Sequence, residues 1–408
     1  MTRPRGPRFV WIAASMTIAA PAGPLPVVRI ADTNTPVPGG TGNFTAFSIP
    51  SLAGPYVAFG ADGESDQQGV YLHNAGVIER IADKSTLIPG AEATFRGFGT
   101  PSVDPGGNVA FFGRGEGDQF GIYASGAGLH TIADASTIVS TPMGPQPLTD
   151  VSTRVAAVGD QVVFTAWAAY HSSVYRGDGV VVSPVADWQT PLPGATGEFI
   201  GAYNQAADGT YAAFVAATTD TEGVYVHDGD TIALVADSTT TIPGGAGVFT
   251  GFGQLAVADG DVSFLGIGSS ASEHGIYARR GGVLDAVATV GDPIPGGVGA
   301  FESFLGIGGS AIDDGNVVFG GFGPDEQHGL YAHWDGSLVK ILDRNDLLDG
   351  QHPLYLLVGN ESLEGDQLAF TAVFQDMTFA VYVATIPEPT AACSLLLAAC
   401  ALRSRRAA

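Results

Sequence analysis

Lysine is nearly missing from this 408-residue chain: Lys84 and Lys340 are the only two, and all basic residues number 17 against 41 acidic ones. Nucleic acid is excluded as a partner on that ground, because phosphate backbones are bound by clustered Lys and Arg. Cysteine is as scarce, with only Cys393 and Cys400, both close to the C-terminal end. Everything upstream must therefore fold without disulfides. Charged residues make up 14% and hydrophobic ones 45%, a balance opposite to that of disordered chains. What is abundant is glycine (58) and proline (25), the composition of many turns joining short strands in an all-β protein.

The two ends read as processing signals. Arg3, Arg5 and Arg8 precede an apolar run, Phe9 to Ala20, which ends in Ala20-Pro21-Ala22. Basic flank, apolar core and small-residue cleavage site in that order indicate a secretory signal peptide over residues 1–22. At the other end, residues 386–408 hold Pro387-Glu388-Pro389, an apolar run from Ala391 to Leu402, and Arg403, Arg405 and Arg406. A dozen helical residues span roughly 18 Å, well short of the ~30 Å hydrocarbon core. The trailing arginines would stay on the cytoplasmic side, leaving Pro-Glu-Pro outside for cleavage, as in a removable lipid-anchor signal.

These last residues resemble the PEP-CTERM sorting signal of Gram-negative bacteria. The resemblance implies processing by an exosortase-type enzyme and a place at the cell surface or in the extracellular matrix, with polysaccharide nearby. Contact with a membrane would then be through the terminal signals only. Both cysteines would be lost with the tail, and loss of the six terminal arginines would leave 11 basic against 41 acidic residues, a net charge of −30.

Between the ends, over residues 23–385, one pattern repeats. A strand-like segment of the Val/Ile-Ala-Phe kind recurs with its aromatic at Phe59, Phe111, Phe164, Phe214, Phe264, Phe319 and Phe370, and a second segment, typically Gly-Val/Ile-Tyr, with its tyrosine at Tyr71, Tyr123, Tyr175, Tyr225, Tyr277, Tyr331 and Tyr382. The tyrosines are spaced 52, 52, 50, 52, 54 and 51 residues apart. Ile/Val-Ala-Asp follows, ending at Asp32, Asp83, Asp134, Asp187 and Asp237 and decaying to Thr289 and Asp343; then come a Pro-Gly loop and an aromatic pair such as Phe249/Phe252. Asp-Gly steps between the pieces favour tight hairpins. Each repeat is thus a four-stranded antiparallel meander, and radial repetition of such units makes a β-propeller.

The chain order favours a closed ring. Val27 to Asp32 reads as the last strand of a repeat, and Ala380 to Val383 as a third strand with no fourth after it. Pairing the two completes the last blade and protects an edge. The expectation is an all-β, seven-bladed propeller whose repeated aromatics pack between blades.

Candidate chemistry is sparse. His73, His227 and His333 each follow a repeat tyrosine by two positions, which suits decoration of the repeat better than a shared metal site. Acids gather in the loops joining second and third strands: Glu64 and Asp66, Glu116 and Asp118, Asp220 and Glu222, Glu273, Asp325 and Glu326, and Asp376. A negative rim on that face could collect Ca²⁺ or a cationic partner, although no Asp-x-Asp-x-Asp-Gly spacing occurs. The third repeat departs most. Its leading loop, Thr141 to Pro147, lacks Pro-Gly-Gly, and its next loop carries Trp167, Tyr170 and His171 instead of acids, with Trp188 in the following connection. Large rigid aromatics there suggest a contact patch for sugar or protein.

No catalytic motif stands in a suitable context. The residues point to an exported, non-enzymatic binding or structural propeller that meets extracellular polysaccharide or a surface protein, without a cofactor. The alternative is a propeller hydrolase or lyase acting on extracellular polysaccharide through axial acids or Ca²⁺.

Overall fold

A computed structural model describes residues 25–304 and 309–387, within one compact unit, Leu25–Pro387. Residues 1–24, which include the stretch read as a signal peptide, and the tail from Glu388 onward lie outside the described residues. Apart from one 3-10 turn, Ala271–Glu273, every named element is a strand. The fifth repeat shows the common unit: Phe249–Ala258, Asp261–Gly268, Gly275–Arg280 and Val283–Thr289 pair in order as an antiparallel meander.

Two sequence features shape that unit. Phe264 and Tyr277 face each other across the second and third strands, both fully buried, with rings 5.9 Å apart. Phe249 meets Tyr277 edge-on at 5.0 Å and Phe252 meets Phe264 at 5.7 Å, so the four rings form one packed group. The same quartet recurs at Phe44, Phe47, Phe59 and Tyr71, at Phe95, Phe98, Phe111 and Tyr123, and at Phe301, Phe304, Phe319 and Tyr331. The glycine two residues before the repeat tyrosine, present in five of the seven repeats, has a steric cause. A bulge in the outermost strand presses a carbonyl inward, and a Cβ on Gly275 would lie 2.5 Å from Ala288 O.

The meanders are arranged in a circle. Buried side chains of each repeat pack on those of the next, and Phe44, Phe59 and Tyr71 of the first repeat pack on Ala369 and Val381 of the last. Val27–Asp32 lies antiparallel to Phe379–Thr385, with Val28 opposite Val383, so the chain's leading strand becomes the outermost strand of the final sheet. The molecule is an all-β propeller of antiparallel sheets.

The number of separate blades differs from the expected seven. Five sheets of four or five strands stand alone, in the first, second, fifth, sixth and last repeats. The third and fourth repeats share one eight-stranded sheet, joined by a single parallel bridge between Ser172 and Gly201. Gly201 permits the approach, since a Cβ there would stand 2.3 Å from Ser172 Oγ. Gly201→Ala is expected to destabilise the protein by about 1–3 kcal/mol through overpacking. Ser172→Ala should recover part of that loss in a double-mutant cycle of urea unfolding. Additivity of the two changes would show that the bridge is not tight.

The leading loop of the third repeat also has its own form. Without Pro-Gly-Gly it becomes a two-stranded ribbon, Ile138–Thr141 with Gly144–Pro147.

Candidate functional site

Most of the polar residues singled out in the sequence hold backbone in place. Asp83 Oδ1 accepts Ser85 N at 2.9 Å and Thr86 Oγ1 at 3.0 Å, while Thr86 Oγ1 accepts Asp83 N at 3.0 Å. Burial pushes this carboxyl up, but hydrogen bonds from Ser85, Thr86 and Arg80 outweigh it and hold the group below its usual range. Asp32, Asp134, Asp187 and Asp237 make the same Asx turn. In the fifth repeat the two partners are exchanged: Thr289 stands first, and Asp292 Oδ2 accepts its N–H at 2.7 Å.

The histidines two residues past the tyrosines also serve turns. His227 Nδ1 accepts Gly229 N at 3.0 Å, His73 Nε2 accepts Gly76 N at 3.2 Å, and His333 Nδ1 lies 3.0 Å from Arg280 on the neighbouring repeat. Burial lowers all three from the ordinary imidazole value.

His328 is the extreme case. Buried in the sixth repeat and stacked on Phe322 at 4.4 Å, it is drawn down to about 4 by burial, with Arg344 adding to the effect. Its neutral form therefore supports the fold above the unfolded value near 6.5, and that support is lost as pH falls toward 4. His328→Phe is expected to abolish about 3 kcal/mol of the stability change between pH 7 and pH 4. Urea midpoints at the two pH values measure it; an unchanged difference would mean that the imidazole titrates normally.

Two loop acids accept backbone N–H groups of the neighbouring loop, Glu273 from a buried position and Glu64 from an exposed one. Glu273 Oε1 accepts Gly247 N at 2.8 Å and its Oε2 accepts Ser270 N at 3.1 Å. The Ser270 N–H chiefly, opposed by burial and aided by Gly247 N–H, brings its carboxyl to about 2. Glu64 Oε1 accepts Asn43 N at 3.2 Å. Among the described residues no group of three His, Cys, Asp or Glu has the geometry to hold a metal ion.

Gln67 is a clip that sequence reasoning missed: its Oε1 accepts Thr41 N at 3.0 Å, and its amide donates to Thr41 O and Glu64 O. The signal was Gln or Glu two residues before the repeat glycine, at Gln67, Gln119, Glu273 and Gln327.

The aromatic residues of the third repeat occupy the seam of the eight-stranded sheet. Ala169 and Tyr170 form a two-residue hairpin turn, both with left-handed φ, 48° and 70°. Asn-Gly is the usual occupant of such a turn, and each residue with a Cβ costs about 1 kcal/mol there. Tyr170 is 96% exposed. Half-buried Trp167 stands two residues before the turn, and the His171 ring nitrogen Nδ1 lies 3.3 Å from Ile200 O of the fourth repeat, next to the Ser172–Gly201 bridge. Ile200 is itself exposed. Trp188 sits half-buried in the next connection, its Nε1 enclosed without a partner, and no ring contact joins it to the other three among the described residues.

Near the axis, successive repeats are fastened by hydroxyls. Ser51 Oγ accepts Val103 N at 3.0 Å, Ser102 Oγ accepts Ala157 N at 2.7 Å, and Ser263 Oγ lies 2.9 Å from Ser310 Oγ. A cavity of about 30 Å³ opens there, lined by Ser51, Thr100, Arg154, Asn360 and Glu361 among others. It holds one acid beside one arginine, where the enzyme alternative expected several converging acids.

At the C-terminal end, Ile386 is buried and donates its N–H to Asp366 O at 2.7 Å, and Pro387 is exposed. Glu388, Pro389, Arg403, Arg405 and Arg406 lie outside the described residues. No helix among the described residues is long and apolar enough to cross a membrane.

A circle of antiparallel meanders, completed by the leading strand, places the chain in the class of β-propellers. A model for a family of unknown function (DUF7453) matches residues 26–138. No curated protein matches the chain. Among solved structures it is similar to the beta-propeller domain of the Trilobed protease from Pyrococcus furiosus, at 15% identity and TM-score 0.37 over 75% of this chain and 100% of that one. It is also similar to the uncomplexed acylaminoacyl peptidase of Pyrococcus horikoshii (12%, TM-score 0.47, covering 84% of this chain and 51% of that one). A puromycin-hydrolyzing peptidase of Mycobacterium tuberculosis gives 14%, TM-score 0.45, and 84% and 53% coverage. The chain spans about half the length of these two peptidases.

Proposed function

We propose that this chain is an exported propeller that works as a non-enzymatic binding or structural module at the cell surface or in the extracellular matrix, sorted by its Pro387-Glu388-Pro389 tail through an exosortase-type enzyme. The ring has seven sectors in this reading: each half of the eight-stranded sheet is a complete four-stranded meander, and only one bridge joins the halves. The contact surface is centred on Trp167, Tyr170 and His171, with Trp188 in the following connection, and the partner is an extracellular polysaccharide or a surface protein.

The observation that carries the reading is Tyr170, held almost fully exposed on a turn that disfavours it. A large aromatic on a strained turn has no packing reason to be there, whereas rigid aromatics are effective contact residues. Sorting is supported by the position of Pro387, exposed one residue after Ile386, the last buried side chain among the described residues. Two of the loop acids considered for calcium, Glu64 and Glu273, accept backbone N–H groups.

The test is a glycan-array and surface-protein screen with purified protein, comparing the native chain with Tyr170→Ala. Binding that the substitution weakens supports the reading; binding it leaves unchanged moves the contact elsewhere. The hydrolase or lyase alternative has Glu361 on its side, a carboxyl that burial raises to about 7, suited to general acid–base work. Turnover of a polysaccharide, lost on Glu361→Gln, would decide for it.

A further inference from the structure

The last repeat meets the first across a seam that the chain closes only at its end. Leu52 N donates to Glu361 O at 2.8 Å, Ser362 Oγ donates to Pro50 O at 3.0 Å, and Thr371 Oγ1 donates to Ser48 O at 2.7 Å. Ser51 Oγ donates to Glu361 Oε2 at 2.9 Å while it accepts Val103 N from the second repeat. One carboxyl therefore ties three repeats together. Its other oxygen, Oε1, is enclosed and has no hydrogen-bond partner. Arg154, on the innermost strand of the third repeat, lines the same cavity and is the one charged side chain that bears on Glu361 among the described residues; the neutral side chains that bear on it are Ser51, bonded to Oε2, and nearby Ser102.

An enclosed carboxylate oxygen without a donor is costly when the group is ionised and far less so when it is neutral. The geometry points to Glu361 as a proton-operated latch on the closing seam: protonated, it holds the last repeat against the first, and ionised, it loosens that contact.

The sign follows from linkage. Burial, opposed by Ser102, Ser51 and Arg154, raises the carboxyl from 4.5 to about 7. A raised carboxyl supports the fold fully below the unfolded value, and the support is lost as pH rises toward 7. The expected size is roughly a hundredfold in the folding equilibrium. His328 acts in the opposite direction over an overlapping range, so the effect is read as a difference between variants.

The experiment is urea unfolding of the full chain at pH 5 and pH 8, native against Glu361→Gln. The native protein should lose about a hundredfold more in folding equilibrium on going to pH 8 than the variant does. Equal losses would overturn the latch. If the variant does not fold, amide exchange of the native chain answers the same question. Protection of Leu52 and Val103 N–H, corrected for intrinsic rates, should fall from pH 5 to pH 8 relative to Val262 and Leu265 of the fifth repeat; a uniform change would overturn it. This rests on the seam and not on the proposed function, so a failed ligand screen leaves it standing.

Discussion

Removing the leading strand, by starting the chain after Asp32, should leave a protein that no longer unfolds cooperatively at the native urea concentration and that associates on concentration. The deletion takes away the backbone partners of one edge of Phe379–Thr385, from Val27 opposite Ala384 to Asp32 opposite Ala380, and leaves the other edge paired with Gln367–Phe374. It also removes buried Ala31, the half-buried Val27 and Ile30, and the ion pairs of Arg29 with Asp32 and Asp349. The exposed ion pairs add little; the bared strand edge and lost apolar contacts matter more. A cost of about 5 kcal/mol or more would take most of the stability of an ordinary domain. Size-exclusion chromatography and urea unfolding check it: a monomer with the native midpoint would mean that the last sheet does not need its fourth strand.

The second large effect is in the aromatic groups. Phe264→Ala is expected to lower stability by about 3–5 kcal/mol, because the ring is fully buried and its neighbours relax only partly into the space left. Phe249, Phe252 and Tyr277 all touch it, at 5.7, 5.7 and 5.9 Å between centroids. Phe164 and Phe214 are as buried, yet each has only its tyrosine as a ring partner among the described residues. Their alanine variants should cost less than Phe264→Ala by the value of the missing ring pairs, about 0.5–1.5 kcal/mol each. Equal losses at all three positions would show that burial alone sets the cost.

Much of the architecture was legible because the repeat carries its own chemistry. Phe and Tyr at fixed register mark the two central strands, and Asp at the end of the fourth marks the turn that leaves it. The order of fragments at the two ends also indicated how the ring closes. What stayed hidden was contact between repeats. The shared eight-stranded sheet depends on Gly201 meeting Ser172, one bridge between residues that no pattern links. The Ser51 and Ser102 clips are invisible for a similar reason, since a small polar residue reads the same whether it faces water or a neighbouring backbone. Phe199 and Tyr203 stand four residues apart, where Phe249 and Phe252 of the next repeat are three apart. Tyr203 donates to Glu222 and leaves the ring group. Thr289 read as decay of the Asp motif, whereas Asp292 restores the turn from the other side.

The loop acids show why the candidate site was harder to read than the fold. Charge in a loop suggests a ligand, but Glu273 is buried and Glu64, though exposed, accepts a backbone N–H, and only coordinates reveal either role. Tyr170 is the reverse case: it stands almost fully exposed, and its left-handed backbone adds a cost that packing does not explain.

Ring closure by the chain's own two ends is most directly tested by a cross-link. Val28→Cys with Val383→Cys places two thiols on directly opposed residues, in a chain whose native Cys393 and Cys400 are replaced by Ala. Under air oxidation the closed ring should form this disulfide nearly completely as a monomer, and reduction should lower stability by about 5 kcal/mol, the value for closing so long a loop. Thiols that remain free, or that link separate molecules, would contradict a ring shut by its leading strand.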